Sequence, residues 1–285
     1  MGHLYVIATP IGNLEDLSPR AARILGQVRL VVAEDTRVAR KLLSHAGVRS
    51  PVASFHAHSS PAALTPVLQA LDEGDVAYIS DAGTPAVSDP GPELVKAVAD
   101  AGHEVLAVPG PSAVTSALSI SGLQADSFLF LGFLPRKSSV RRELLRRHAT
   151  SALTLVLFEA PHRLQESLQD IHAVLGDRRV AVCRELTKMF EETFRGTVSE
   201  AISHFTAPRG EFVVVIDAGQ PVEEAEPDAA IVAVLERLNG EGLKGRRLVE
   251  AAAMETGAPR SRVYRLALAI NEGPKGSRTP GSGDA

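Results

Sequence analysis

Short apolar runs, many of them β-branched, alternate along this chain with stretches patterned as helices. "LYVIA" (Leu4 to Ala8), "LVVAED" (Leu30 to Asp35), "VAYIS" (Val76 to Ser80) and "EVLAVPG" (Glu104 to Gly110) have the continuous apolarity of strands covered on both faces. Helix start signals lie between them. Ser18 before Pro19 in "SPRAARILGQV" and Ser60 before Pro61 in "SPAALTPVLQALDEG" each put an N-cap hydroxyl ahead of a proline in the first turn. Gly74 and Gly102 stand where glycines close helices. This alternation predicts an α/β fold with a mostly parallel sheet.

A second set follows "ISGLQADS". "FLFLGFLP", "LTLVLFEA", "RRVAVCREL" and "GEFVVVIDAG" are strand-like, and "SSVRRELLRRHA" and "HRLQESLQDIHAVLG" between the first three are helical. The pattern predicts two α/β domains, residues 1–122 and 123–219, with a ligand cleft between them. "QPVEEAEPDAA" (Gln220 to Ala230) is an acidic, proline-containing linker. Residues 231–272 are helical and basic, and the composition of 273–285, "GPKGSRTPGSGDA", predicts disorder. No internal repeat appears at a fixed period.

With 285 residues the chain exceeds one average domain, and 45 % apolar with 22 % charged residues is ordinary for a globular enzyme. No apolar run approaches the roughly 18 residues of a membrane span, and "MGHLYVIATPIG" has neither a charged n-region nor a cleavage site, so a cytoplasmic protein is expected. The single cysteine, Cys183, sits in an apolar run and is expected to be a reduced packing residue, which leaves no disulfide or zinc framework. A net charge of −4 argues against bulk nucleic-acid coating and leaves room only for a local basic patch.

Three loops directly after strands carry glycine, proline and small hydroxyl or acidic residues: "ATPIGNLED", "YISDAGTPAVSDPG" and "VPGPSAVTSA". Ligands of open parallel sheets bind at the carboxyl ends of strands, and glycines let backbone groups approach a flat ligand. Each loop taken singly is also an ordinary tight turn. No G-x-G-x-x-G or G-x-S-x-G motif is present, and "GEGLKGR" (Gly240 to Arg246) lacks the Lys-Ser/Thr ending of a phosphate loop. His56 and His58 share a strand face but have no evident third ligand, so no metal is expected; a hydrogen-bonding or acid/base role and a plain surface loop both stay open.

"LYVIATPIGNLEDLSPRA", "AEDTR", "SFHAHS", "YISDAGTPAVSDPG", "VPGPSAVTSAL", "FEAPHR" and "CRELTK", in this order from about Leu4 to Gly219, resemble the tetrapyrrole methylase superfamily and, within it, its ribosomal RNA branch. The resemblance implies S-adenosyl-L-methionine held in the cleft between two α/β domains. It implies transfer of the methyl group to a ribose 2′-oxygen of a decoding-centre cytidine in small-subunit (16S) ribosomal RNA, and a homodimer. The first loop departs from the superfamily's glycine- and acid-rich form, so only Pro10 carries over from it. The other motifs supply Asp81, Gly83, Thr84, Val87, Ser112, Ala113, Ala160 and Leu186 as cofactor contacts; Asp81 can equally cap its own loop. Cleft-facing polar candidates are Glu34, Asp35, Arg37, His56, Glu159, His162, Arg163 and Lys188. Among these, His56 and Glu159 are the expected proton acceptors and Lys188 the group easing the developing alkoxide. Arg37 and Arg163 can instead be structural ion-pair partners.

The basic residues are clustered. "PRKSSVRRELLRRH" carries Arg136, Lys137, Arg141, Arg142, Arg146 and Arg147 against the single acid Glu143, and the last helical segment carries Arg260, Arg262 and Arg265 after a Gly-Ala-Pro turn. Both are expected to bind RNA phosphates, the second as part of a helix-turn-helix-like segment, although a solvated helix face and a docking hairpin explain the same patterns. The combined expectation is a methyltransferase acting on small-subunit ribosomal RNA, best in the assembled 30S subunit and without a membrane partner. A small-molecule tetrapyrrole methylase and a non-catalytic RNA-binding assembly factor are the alternatives.

Overall fold

The computed structural model describes residues 2–56, 59, 61–218, 227–256 and 260–271. His58, Ser60, most of the acidic linker and the C-terminal tail, each given a reading above, lie outside the described residues. The chain divides into two compact units, Met1–Gly219 and Gln220–Ala285.

Unit one holds two five-stranded sheets. The first is built from β1 (Leu4–Ile7), β2 (Leu30–Ala33), β3 (Val52–Ser54), β4 (Val76–Ile79) and β5 (Val105–Val108) in the order β3-β2-β4-β1-β5, every pairing parallel. Its strands are apolar throughout because both faces are covered. On one side Ile7, Val31, Ala77 and Ile79 meet Leu25 of α1 (Pro19–Leu25) and Leu42 of α2 (Thr36–His45). On the other, Leu4, Val32, Val76 and Tyr78 meet Leu71 of α3 (Leu64–Glu73) and Leu94 of α4 (Pro92–Asp100). The Ser18 hydroxyl accepts from the Ala21 backbone N–H at 3.1 Å, the N-cap its sequence announces. Strand β3 has no counterpart in the sequence pattern, since three residues are too short to show one.

After β5 the chain enters α5 (Ala113–Ser121), whose Val114, Ala117 and Leu118 pack against Val156, Cys183, Val213 and Val215 of the second sheet. The helix placed in the first domain by the boundary at residue 122 therefore covers the other sheet. That sheet comprises β6 (Phe128–Phe133), β7 (Thr154–Glu159), β8 (Arg179–Arg184), β9 (Glu192–Thr197) and β10 (Phe212–Ile216) in the order β6-β7-β10-β8-β9. Only β6 and β7 run parallel; the other pairs are antiparallel. Its far face is covered by α6 (Ser138–Arg147), α7 (Leu164–Leu175) and α8 (Val198–His204) through Leu145, Leu168, Ile171 and Ala201. Strand β10, buried at all five residues, forms the middle of this sheet.

Unit two is a separate three-helix assembly of α9 (Pro227–Gly240), α10 (Gly245–Thr256) and α11 (Arg260–Asn271) around Ile231, Leu235, Leu248, Ala252 and Val263. Helix α9 begins inside the stretch read as linker. Among the described residues no helix is long and apolar enough to cross a membrane.

Candidate active site

The loop after β4 is conformationally unusual. Gly83 and Gly91 have φ of 78° and 138°, but Ala86 and Ser88 also take left-handed values of 66° and 64°. A non-glycine residue there costs on the order of 1–3 kcal/mol and persists only where its surroundings over-determine it. They do so here. Thr9 and Gly83 exchange backbone hydrogen bonds of 2.9 and 3.1 Å, and the Thr84 hydroxyl donates to Pro111 O at 3.3 Å. The Tyr78 hydroxyl donates to Pro90 O at 2.6 Å, and its ring lies so close to Gly91 that a Cβ there would be 2.6 Å from Cε1. Burial and the carboxylates around it push the Tyr78 hydroxyl well above its ordinary pKa, so it stays a donor. A second left-handed pair, Glu185 (49°) and Thr187 (66°), flanks Leu186 between β8 and β9.

Between these two loops lies a cavity of about 370 Å³. One wall is Ile11 and the loop from Ala82 to Asp89; the others come from the start of α5 (Ser112 to Val114), the end of β7 (Phe158 to Pro161), Cys183, Leu186 and the start of β10 (Glu211 to Val213), with Phe133 at the rim. The lining is mostly apolar with a few polar groups at its edge, the usual make-up of a site for a drug-sized organic ligand. Gly83 keeps the floor open: a Cβ there would sit 3.3 Å from Ile11 Cγ2 in a left-handed backbone. Phe158 meets Phe130 and Phe133 edge-on, with centroids 4.9 and 5.5 Å apart, which fixes the aromatic wall.

Seven of the nine expected cofactor contacts line this cavity: Gly83, Thr84, Val87, Ser112, Ala113, Ala160 and Leu186. Pro10 and Asp81 do not. Pro10 is buried behind the first loop, and an Asp81 carboxylate oxygen accepts the Asp35 backbone N–H at 3.1 Å, tying the end of β2 to the end of β4.

The three expected catalytic groups are not brought together. Glu159 lies on the cavity wall, but its carboxylate accepts from the Ser167 hydroxyl and from the Ala160 N–H at 2.9 Å, with Arg163 at 3.6 Å; it is 1 % exposed and braces the turn after β7. Lys188 is outside the lining and spans two carboxylates, Glu185 at 3.1 Å and Glu211 at 2.6 Å, an ion-pair bridge and not an alkoxide contact. His56 follows β3, also outside the lining, and acts electrostatically on Glu34. Arg37 forms the structural pair, 2.5 Å from Asp35, and its hydrogen bonds hold the Asp35 carboxyl at about 2. Arg163 donates to Leu134 O, and His162 is exposed.

The motif reading missed Asp89, Phe133, Phe158, Cys183, Glu211 and Val213. Cys183 is buried as expected, but it also forms part of the wall, and burial raises its thiol pKa. Asp89, in the cavity, is pushed above the ordinary aspartate range by burial; a Ser80 hydrogen bond opposes this and the Asp81 charge adds to it. Glu34 is raised in the same way by burial, then by Asp81 and Asp89. Among the described residues no three His, Cys, Asp or Glu side chains gather as a metal site.

The basic ridge needs correction. Arg141 is 1 % exposed, its guanidinium 2.6 Å from the Asp170 carboxylate, so it cannot meet a phosphate. Arg142 shares Asp170 at 2.5 Å but stays 45 % exposed. Arg136, Lys137, Arg146 and Arg147 are exposed, the last two alongside Glu143. In unit two Arg260 and Arg265 are exposed, and the Arg262 side chain lies outside the described residues.

The family model for tetrapyrrole (corrin/porphyrin) methylases matches residues 3–202, which takes in both sheets as far as α8. The chain is 42 % identical over 275 residues to the Synechocystis sp. protein named ribosomal RNA small subunit methyltransferase I, covering 95 % of this chain and 99 % of that one. A protein of the same name from Thermotoga maritima is 47 % identical over 219 residues, 76 % of this chain and 98 % of its own length. The crystal structure of a Thermus thermophilus uroporphyrin-III C-methyltransferase complexed with S-adenosyl homocysteine superposes with a TM-score of 0.54 at 19 % identity, over 76 % of this chain and 97 % of that one, a likeness of fold. On the family match and the two sequence relatives together, the chain belongs to the tetrapyrrole methylase family.

Proposed function

We propose that this chain transfers a methyl group from S-adenosyl-L-methionine to small-subunit ribosomal RNA, and that the acceptor is the ribose 2′-oxygen of a decoding-centre cytidine. The observation that carries the cofactor is the cavity: its size, its apolar wall and the glycine-opened floor beside Ile11 suit an adenosyl group, and the family is one of methylases. Gly83, Thr84, Val87, Ser112, Ala113, Ala160 and Leu186 would hold it. The cofactor supplies an activated methyl on a sulfonium; the protein's part is to align the acceptor, which is worth up to roughly 7–11 kcal/mol, and to give its proton a destination.

The RNA acceptor is supported by the relatives' shared name and by exposed basic residues at the head of α6 and on α11. Polar groups at the carboxyl edge of the first sheet, Glu34, Asp35, Asp81 and Asp89, suit a hydroxylated acceptor better than an apolar macrocycle. Two basic segments in one chain favour the assembled 30S subunit over short naked RNA, because each alone engages only part of the surface. A homodimer in the cytoplasm completes the reading.

Reconstituted subunits carrying ribose or 2′-deoxyribose at the target cytidine, incubated with methyl-labelled cofactor, test it. Label in the ribose subunit and none in the deoxy subunit is expected. Equal label in both would place the methyl on a base and overturn the ribose assignment.

A further inference from the structure

Three carboxylates line the cavity: Asp89, Glu159 and Glu211. Glu159 is taken up by Ser167, Ala160 and Arg163, and Glu211, on the opposite wall, binds Lys188 at 2.6 Å. Asp89 differs. Among the described residues no cation pairs with it, and the hydrogen bond that holds it comes from the neutral Ser80 hydroxyl. An aspartate this close to a helix start would ordinarily be a cap, yet α4 has Gly91 at its N-cap and receives no side-chain capping bond.

The backbone is arranged to hold Asp89 still. It follows the left-handed Ser88 and precedes Pro90, whose carbonyl accepts from Tyr78 at 2.6 Å. Two positions further back stands Val87, another cavity residue. Left-handed non-glycine backbone beside a carboxylate aimed at a ligand cavity is the pattern expected of a preorganised reacting group.

We propose that Asp89 is the general base of the reaction, its carboxylate taking the proton of the acceptor ribose 2′-hydroxyl as that oxygen is methylated. This rests on the ribose-methylation reading above. The oxygen–methyl bond forms as the sulfur–methyl bond breaks, the sulfur keeps the electron pair, and the hydroxyl proton passes to Asp89 and later to solvent. The groups facing Asp89 suit this work. Asp81 and Tyr78 from β4 and its end, Glu34 from the end of β2, and Glu159 and Glu211 across the cavity are acidic groups or a neutral phenol; the nearest basic group, His56, acts on Glu34. Repulsion and burial make this carboxylate a stronger base than one in water.

Asp89→Asn keeps the shape and the Ser80 contact but removes the basic oxygen. The expected result is a fall in kcat of about 10²–10⁴-fold, with cofactor affinity, read by calorimetry on the full chain, within about threefold of the parent. The parent's kcat should rise with pH along an acid limb and then level, because the base works ionised. That limb should coincide with the Asp89 carboxyl titration followed by carbon-13 NMR in the absence of cofactor and RNA. Asp81→Asn, which removes the adjacent charge, should move both the limb and the NMR titration to lower pH. Asp89→Asn with parental kcat, or an acid limb unmoved by Asp81→Asn, would overturn the proposal. A parallel loss of cofactor affinity would make Asp89 a cofactor anchor and overturn it equally. Deoxy-substituted subunits labelled like the ribose ones would refute the function itself, whereas a normal ribose preference with an active Asp89→Asn refutes only the base.

Discussion

The Arg141 guanidinium lies 2.6 Å from the Asp170 carboxylate, both side chains nearly sealed from water at 1 % and 4 % exposure. Asp170 also accepts from the Ser138 hydroxyl at 2.9 Å and from Arg142 at 2.5 Å, so one carboxylate from α7 collects three donors from α6. Removing one member of a buried pair leaves an uncompensated charge. Asp170→Ala should therefore destabilise the protein by about 3–5 kcal/mol, measured by urea unfolding, and should do so more than the double change Arg141→Met, Asp170→Leu.

The same pair sets an acid dependence. Burial alone would raise the Asp170 carboxyl, but the bonds from Arg142, Ser138 and Arg141 outweigh it and hold the pKa below the ordinary value. A depressed carboxyl contributes stability that is complete above the unfolded pKa of about 3.9 and is lost as pH falls through the folded one. The stability gap between parent and Asp170→Asn should thus narrow below about pH 4, followed by unfolding titrations across that range.

A second expectation separates structural from RNA-facing arginines. Arg136, Lys137, Arg146 and Arg147 are exposed, whereas Arg141 is not. Replacing those four with alanine should weaken RNA binding and flatten its dependence on salt by roughly 0.7–0.9 log units for every phosphate no longer neutralised, with cofactor affinity unchanged. Arg141→Ala should lower stability and leave the salt slope alone. Binding isotherms at several salt concentrations decide between them.

How far the sequence discloses this molecule depends on whether the controlling partner is local. Strands β1, β2, β4 and β10 are legible because both faces are buried, and so is the Ser18 cap, whose partner is three residues away. Strand β9 alternates polar and apolar residues at a sheet edge and gives no comparable signal. The cavity's loop residues follow from short motifs, but its floor depends on register: β10 sets Val213 opposite both Phe158 and Cys183, three residues from three strands that no local pattern unites. Arg141 looks like part of a basic ridge for the same reason, since its partner lies 29 residues on in another helix.

Gly12 offers a test of the cavity's second wall. A Cβ there would lie 2.5 Å from Lys188 Cγ, 2.7 Å from Thr187 Oγ1 and 2.9 Å from Leu186 O, while the next residue, Asn13, donates its N–H to Thr187 Oγ1 at 3.0 Å. The lysine stem can move; the backbone oxygen of Leu186 cannot do so without shifting a cavity residue. Gly12→Ala should weaken cofactor binding by about tenfold, or about 1.4 kcal/mol, without unfolding the chain. Thr187→Val, which removes one hydrogen bond and adds no clash, should cost about 1 kcal/mol or less. Calorimetric titration with S-adenosyl-L-methionine compares the two.

The two-unit division predicts separable roles for the body and the C-terminal helices. Every residue lining the cavity falls between Ile11 and Val213, inside unit one, and α9 to α11 close a hydrophobic core of their own. The Thermotoga maritima relative matches over 219 residues, 98 % of its own length, which is the length of unit one. A chain ending after Gly219 should therefore fold cooperatively and bind S-adenosyl-L-methionine with an affinity within about threefold of the full chain, a difference of about 0.6 kcal/mol. Its RNA affinity should fall, because Arg260 and Arg265 leave with the helices; each phosphate left without its arginine should reduce the salt slope by roughly 0.7–0.9. Calorimetry with the cofactor and salt-dependent binding to 30S subunits measure the two effects on one truncated protein. A full-strength RNA slope would make the C-terminal helices a packing module, and failure to bind the cofactor would mean that the cavity needs them.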